Sequence, residues 1–320
     1  MTRSVVIGVG AYLPERVVPN DWFASELGLE TSDEWIRART GIHERRFAAE
    51  GELTSDLGIA AARDALECAG IGADTLDAMI VATTTPDQTF PSTAVKIQSA
   101  IGMTGGFAYD QMAACAGFVF ALASADALIR SGQAKRVMVI GAETYSRILD
   151  FTDRGTCVLF GDGAGAVILE GQDGERGILA TDLHSDGSHA GILYVDGGVS
   201  QNGEAGQLRM EGREVFRHAV EKLAATATAA LEKAGLGDSD VDWIVPHQAN
   251  VRIIEATARK LNVPMDRVVV TVGGHGNTSA ASIPLALSDA AKKDQIKQGD
   301  IVATEAIGGG LAWGSVVLRW

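Results

Sequence analysis

A single thiol carries the strongest chemical signal in the chain. Cys115 lies in Asp110-Gln111-Met112-Ala113-Ala114-Cys115-Ala116-Gly117-Phe118, between small residues that leave room for a substrate. Phe118 to Ile129 continues as an apolar, helix-like segment. The thiol is therefore expected at a helix N-terminus, where unpaired N–H groups and the positive end of the dipole favour the nucleophilic thiolate. A small, inert, buried side chain fits the same local context. Two other loop tips hold polar groups suited to chemistry. Strand Val241–Val245 runs into Pro246-His247-Gln248-Ala249-Asn250, and strand Val268–Thr271 runs into a tip rich in glycine and small residues, Gly273 to Ser282. Functional side chains concentrate at such ends.

These tips need a scaffold, and the sequence reads as alternating strands and helices. Helical periodicity over Thr54–Gly70 stops at Ala69-Gly70, and Ala78–Thr83 is a buried strand. The unit recurs 165 residues later. Ala65-Leu66-Glu67-Cys68-Ala69-Gly70-Ile71-Gly72 matches Ala230-Leu231-Glu232-Lys233-Ala234-Gly235-Leu236-Gly237, and the register holds into Met79-Ile80-Val81 and Ile244-Val245-Pro246. A second echo pairs Gly161–Leu169 with Gly308–Leu318. Two copies of one α/β unit, 1–170 and 171–320, are expected, with parallel sheets from the strand–helix alternation. The segment 114–129 is apolar nearly all round, which suits burial between two layers.

Two N-terminal motifs are ambiguous. Gly8-Val9-Gly10 follows a strand, but Leu13 replaces the third glycine of a dinucleotide fingerprint and Pro14 forbids its helix, so a strand-end turn is the expected reading. Thr31-Ser32-Asp33-Glu34 reads as a capping box opening a helix that sets Trp35 and Arg39 four apart on one face. An aromatic plane beside a cation suits a nucleotide, and it equally suits an ordinary surface cation–π pair.

Composition narrows the function classes. The 320 residues, 46% hydrophobic, can bury a sizeable core without staples. Three cysteines, Cys68, Cys115 and Cys157, with no CxxC pair, argue against a disulfide framework or a zinc site and for a reducing cytoplasm. The N-terminal apolar run is too short for a signal peptide, and the longest apolar stretch is too short to span a bilayer. A net charge of −14 disfavours nucleic-acid binding and requires any anionic partner to meet a local basic patch. Arg252, Arg259 and Lys260 at helical spacing, and Arg213 with Arg217, could form one; a solvated basic face is the plain alternative.

With Ala114-Cys115-Ala116-Gly117, His247-Gln248-Ala249-Asn250 and His275-Gly276-Asn277-Thr278-Ser279-Ala280 in place, the chain resembles β-ketoacyl-acyl carrier protein synthase III of the thiolase superfamily. The likeness runs the whole length, through Thr31–Ile36, Arg39–Ile42, Phe90-Pro91-Ser92, Thr152–Thr156, Phe160–Gly165 and Gly308–Gly314. It implies an α/β, thiolase-like, duplicated αβαβα five-layer fold and a homodimer. It also implies a decarboxylating condensation, in which a short acyl-CoA such as acetyl-CoA acylates Cys115 and malonyl-acyl carrier protein then attacks that thioester.

The resemblance carries a Cys/His/Asn triad onto Cys115, His247 and Asn277, with His247 Nε2–H and the Asn277 amide as donors to the enolate. It puts an oxyanion hole at the backbone N–H groups of Cys115 and Gly309. Trp35 and Arg154 match residues that sandwich the CoA adenine, Arg39 one near its phosphates, and Phe90 one that caps the acyl pocket across the dimer. Arg217, Arg252, Arg259 and Lys260 match carrier-protein contacts, and His275 is read as structural. Gln111-Met112 and the segment Ser188–Leu208 are expected beside the acyl pocket. No metal or redox cofactor is required. A same-fold ketosynthase of specialised metabolism is the near alternative. A cysteine hydrolase lacks its local signature here, and a non-catalytic partner subunit would lack the thiol.

Overall fold

The structure is a computed structural model that describes residues 2–320. Strands β1 (Thr2–Tyr12), β2 (Ala78–Ala82), β3 (Phe107–Gln111), β4 (Arg136–Glu143) and β5 (Gly163–Asp173) form one sheet in the order β1-β5-β4-β2-β3. Strands β6 (Gly177–Ser185), β7 (Trp243–Ile244), β8 (Ile301–Gly308) and β9 (Ala312–Arg319) form the second in the order β7-β8-β9-β6. From the β1 and β6 edges the two sheets have the same strand sequence. The fifth place of the second sheet is held only by a parallel bridge from Ile244 to Val268, so the strand expected over 268–271 is reduced to that contact.

Both sheets are mixed, which corrects the parallel expectation. In the first, β2 runs parallel to β3 and β4, whereas β5 is antiparallel to β4 and to β1. In the second, only β7 and β8 are parallel. The cause is visible in the connection from β8 to β9, which spans only Gly309 to Leu311. So short a link can join only antiparallel neighbours, whereas a parallel crossover needs a helix-length segment.

Seven helices of eight or more residues are found among the described residues: α1 (Asp33–Thr40), α2 (Thr54–Ala69), α3 (Thr93–Ile101), α4 (Gly117–Arg130), α5 (Gly212–Lys233), α6 (Val251–Lys260) and α7 (Ser282–Lys292). α2 and α3 cover the outer face of the first sheet and α5 and α6 that of the second, while α4 and α7 fill the space between the sheets. The αβαβα sandwich of five layers follows. Along β4, Val137 and Val139 face the central core, and Met138, Ile140 and Ala142 face the outer one. Burial on both faces turns such a strand into a continuous apolar run rather than an alternating one.

Local chemistry sets the helix ends. Gly70 ends α2 at φ 64°, and its repeat partner Gly235 follows α5 at φ 73°, both in the left-handed region that glycine enters without a Cβ penalty. The α1 cap is Ser32, whose hydroxyl accepts from Trp35 N–H at 3.1 Å, one residue later than the capping box predicts. Gly8 and Gly10 lie within β1 rather than in a turn. A Cβ on them would come within 2.6 Å of the Ala65 carbonyl and 2.1 Å of the Ala61 carbonyl, so they let α2 pack directly on the strand. No helix among the described residues is long and apolar enough to cross a membrane.

Candidate active site

The two halves meet at the start of α4. After β3 the chain turns through a short 3₁₀ segment, Ala114–Ala116, with Ala114 at φ 46°, and enters α4 at Gly117. A left-handed alanine is a strained conformation that the surroundings must enforce. Gly308 at the end of β8 is what allows them to close in: a Cβ there would fall 2.6 Å from Cys115 N and 2.8 Å from the Ala113 carbonyl. Cys115 thus sits in a fixed corner, 5% exposed.

Two cavities converge on that thiol. One, of about 590 Å³, is lined by Trp35, Arg39, Arg154, Arg213 and Arg252 toward its outer part and by His247 and Asn277 beside Cys115. The other, of about 840 Å³, is lined by Thr84, Thr85, Tyr145, Met112, Leu193 and Gly309 among others, and includes much of 193–208. The first is a cationic and aromatic passage. The second is walled by hydroxyl, apolar and glycine surface together with the charged Glu52, Asp87, Arg147 and Glu204.

His247 follows β7, and its N–H donates to the Glu305 carbonyl at 2.9 Å. Its ring is held by Ser282, the first residue of α7, with Nδ1 2.6 Å from the hydroxyl. That hydroxyl also accepts from Gln248 N–H at 3.3 Å, and among the described residues Nδ1 is the only acceptor bonded to it, which assigns its own proton to Nδ1. Nδ1 is then the acceptor, and the remaining ring proton is on Nε2. Burial lowers the imidazole pKa to about 4, so the ring is neutral at pH 7. Gln248 locks the loop: its Nε2 donates to the Pro246 and Val269 carbonyls, and its Oε1 accepts from Thr271 and Val272 N–H.

Asn277 is fixed in the complementary way. Its backbone bridges Phe160, and its Oδ1 accepts from Ser279 N–H at 2.9 Å, which leaves the side-chain NH₂ as the group free to donate. Two neutral donors of defined orientation therefore share a cavity with the thiol.

The thiol itself departs from expectation. Burial pushes Cys115 up to about 12, with the nearby Glu143 carboxylate acting in the same direction and Ser279 and Tyr145 acting against it. The resting group is a thiol rather than a thiolate. Placement at a helix start does not offset loss of water on all sides, and that burial comes from both sheets, which no local sequence pattern reports.

At the rim, the Arg39 and Arg154 guanidinium carbons lie 4.4 and 4.6 Å from the Trp35 ring centre. Arg154 also donates to the Glu30 carbonyl. Asn250 caps α6 through Arg252 N–H at 2.8 Å and reaches the Arg39 carbonyl at 3.2 Å, tying α6 to α1 at the cavity mouth. Arg217, Arg259 and Lys260 are exposed outside both cavities, Arg217 paired with Glu214. Phe90 lines neither cavity and is 81% exposed. His275 is also outside both, with Nδ1 unpartnered and its pKa lowered by burial.

Sequence reasoning assigned no role to Ser282, Ser279, Gln248 or Glu143. The first three stand beside or inside loop tips already singled out. Glu143 could have been found as the one acid ending the apolar strand 137–143.

Models of 3-oxoacyl-[acyl-carrier-protein] synthase III match residues 109–187, and of its C-terminal part residues 231–320. The chain is 68% identical to a β-ketoacyl-[acyl-carrier-protein] synthase III of Cereibacter sphaeroides over 99% of each chain. It is 66% identical to that of Paracoccus denitrificans over the full length of both. The Aquifex aeolicus 3-oxoacyl-[acyl-carrier-protein] synthase III structure superposes with a TM-score of 0.94 at 47% identity, covering 99% of this chain and 100% of that one. The priming β-ketosynthase of the R1128 polyketide pathway gives 0.92 at 36% identity, covering 99% and 96%. The chain belongs to the β-ketoacyl-[acyl-carrier-protein] synthase III family of condensing acyltransferases.

Proposed function

We propose that Cys115, His247 and Asn277 carry out a decarboxylating condensation between a short acyl-CoA, acetyl-CoA first among them, and malonyl-acyl carrier protein. Family membership makes the chain an acyltransferase that opens fatty-acid synthesis in this way. The observation that carries the residue assignment is the pair of oriented neutral donors, His247 Nε2–H and Asn277 Nδ2–H, lining one cavity with a thiol.

In the first half-reaction Cys115 Sγ attacks the acyl thioester carbonyl, a new C–S bond forms, and the CoA thiolate leaves. In the second, loss of carbon dioxide from the malonyl thioester puts negative charge on its carbonyl oxygen. His247 and Asn277 donate to that oxygen, and the α-carbon attacks the acyl group on Cys115 to give 3-oxoacyl-acyl carrier protein. Neutral donors suit this step because neither has to give up its proton to stabilise the enolate. The backbone N–H groups of Cys115 and Gly309 serve the tetrahedral oxyanions of both acyl transfers. Gly309 supports this by lining the second cavity, where no side chain of its own intervenes.

Trp35 with Arg154 takes the adenine and Arg39 the phosphates, supported by their grouping at the outer part of the first cavity. Arg217, Arg252, Arg259 and Lys260 form the docking face for an acidic carrier protein. Exposure of all four supports it, as does Arg252 on the cavity wall. A homodimer, with Phe90 reaching the partner's acyl pocket, is supported by the exposure of Phe90 and of Phe107 on the open edge strand β3. The site is cytoplasmic on this reading, and residues 1–170 and 171–320 are two copies of one unit, supported by the shared strand order of the two sheets. Higher identity to the curated synthases than to the polyketide enzyme favours fatty-acid synthesis over specialised metabolism.

The test is a condensation assay with malonyl-acyl carrier protein and separate acetyl-, branched short-chain and medium-chain acyl-CoA. Carbon dioxide release and a 3-oxoacyl-acyl carrier protein detected by mass, fastest with acetyl-CoA, is the expected result. Turnover with none of the short primers would contradict the reading.

A further inference from the structure

Beside Cys115, and joined to Asn277 through Ser279, lies a buried polar network that the condensation chemistry does not use. Its centre is Glu143, the last residue of β4, fully buried. The loop after β2 surrounds it. Thr83 Oγ1 donates at 3.3 Å, Thr84 N–H and Oγ1 at 3.1 Å, and Thr85 Oγ1 at 2.6 Å. The Thr83 and Thr85 oxygens also accept, from Thr85 N–H and Thr144 N–H, so these hydroxyls are held from both sides. Every one of these groups presents a hydrogen to the carboxylate, and among the described residues no cation pairs with it. An environment of donors alone fits an ionised, acceptor-only carboxylate, while burial without a counter-ion acts the other way and raises its affinity for a proton.

From the turn that leads into α7, Ser279 Oγ donates to Glu143 Oε1 at 3.2 Å, and the same side chain is near enough to Cys115 to act against the upward shift of its pKa. The titratable groups facing Glu143 are Cys115 and the Tyr145 phenol, the latter also beside Ser279 and Thr84. His247, neutral and bonded through Nδ1 to Ser282, is a poor acceptor for the thiol's proton.

We infer that Glu143, acting through Ser279, is the store for the Cys115 proton between the two half-reactions. The inference rests on the reading of Cys115 as the acylated nucleophile. As Sγ attacks the acyl carbonyl, its proton passes to Ser279 Oγ while the Ser279 hydroxyl proton passes to Glu143 Oε1. The C–S bond to CoA breaks, and the departing thiolate takes its proton from water. The acyl-enzyme then carries a neutral Glu143. When the malonyl-derived carbon displaces Sγ, the C–Sγ bond breaks and the proton returns by the same route, restoring thiol and carboxylate. Desolvation places the Glu143 pKa at about 7, near the range in which a proton can be both taken and returned. Glu143 is a positioning residue in this scheme, since Ser279 stands between it and the reacting sulfur.

The test is the pH dependence of Cys115 alkylation by iodoacetamide, which needs no acyl donor and so stands apart from the identity of the primer. In the unmodified protein the rate rises through about pH 7 as Glu143 becomes able to accept a proton. Glu143→Gln and Ser279→Ala lower the rate about 10²-fold at neutral pH and remove that inflection. Glu143→Asp keeps the inflection at reduced rate. Melting curves show which variants fold, and Ser279→Ala serves if Glu143→Gln does not. A folded Glu143→Gln or Ser279→Ala that keeps the inflection, at whatever rate, overturns the proposal, because loss of packing alone slows alkylation without changing its pH profile. Alkylation that behaves as expected in a protein no acyl-CoA can acylate would support the relay and reject the function.

Discussion

The two sides of the site are built on different principles. On the side of β3, β4 and α4, Cys115 lies against hydroxyls and the Glu143 carboxylate, groups able to pass a proton. On the side of β7, β8 and α7, His247 and Asn277 are each held by one partner that fixes which atom donates: Ser282 for the imidazole and Ser279 N–H for the amide. Ser279 touches both, its N–H holding Asn277 and its hydroxyl donating to Glu143; on the proposed mechanism the first side moves protons and the second keeps them in place. A condensing site needs both, because acyl transfer to sulfur requires deprotonation whereas an enolate requires donors that do not titrate.

The contrast can be broken at its donor side first. His247→Ala and Asn277→Ala should each reduce carbon dioxide release from malonyl-acyl carrier protein by about 10²–10³-fold. Alkylation of Cys115 should change far less. Equal losses in both assays would show that the two sides are not separable. Next in size is Gly308→Ala. Its Cβ would fall 2.6 Å from Cys115 N, so the nucleophile corner has to shift, and acylation by acyl-CoA should drop by about 10²-fold, the cost of roughly 1 Å of misplacement. A crystal structure of that variant with an unmoved Cys115 would refute the packing argument.

Smaller effects sharpen the comparison. Ser282→Ala removes the bond that fixes the His247 tautomer. Loss of one buried hydrogen bond, ~1–1.5 kcal/mol, corresponds to about a tenfold fall in decarboxylation. ¹⁵N NMR of the imidazole should show Nε2 protonated in the parent and a mixed population in the variant.

The second side also contains a buried acid, Glu305, but its Oε2 has no partner, unlike the fully bonded Glu143. Burial raises its pKa from 4.5 to about 8. Between these values the folded chain holds a proton that the unfolded chain has lost, so stability falls as pH rises from 4.5 to about 8 and levels off beyond. Glu305→Gln should remove its share of that slope, leaving the part due to Glu143 below about pH 7, and should raise the melting temperature more at pH 8 than at pH 5. An unchanged pH dependence of melting would mean that Glu305 is solvated.

The sequence made the fold legible and pointed to Cys115, His247 and Asn277, which the structure brings to one cavity, and the reasons are local. Helix ends such as Gly70 and Gly235 need a residue that tolerates positive φ, and the repeat of 165 residues pairs whole elements. What it concealed depends on partners distant in the chain. Strand direction in β5 and β9 is set by pairing rather than by local pattern. The protonation of Cys115 depends on burial by both sheets, and the Glu143 network joins residues 83–85, 143 and 279. Gly8 and Gly10 invited a turn because the contact they permit, with α2 over fifty residues away, leaves no local mark.

The central claim is that Cys115 takes the acyl group. Rapid mixing of the protein with acetyl-CoA, followed by intact-mass and peptide mapping, should show one acetyl group on the Cys115 peptide, absent from Cys115→Ser, and removed on adding malonyl-acyl carrier protein with appearance of 3-oxoacyl product. An acetyl group on any other residue, or one discharged only to water, would contradict the account.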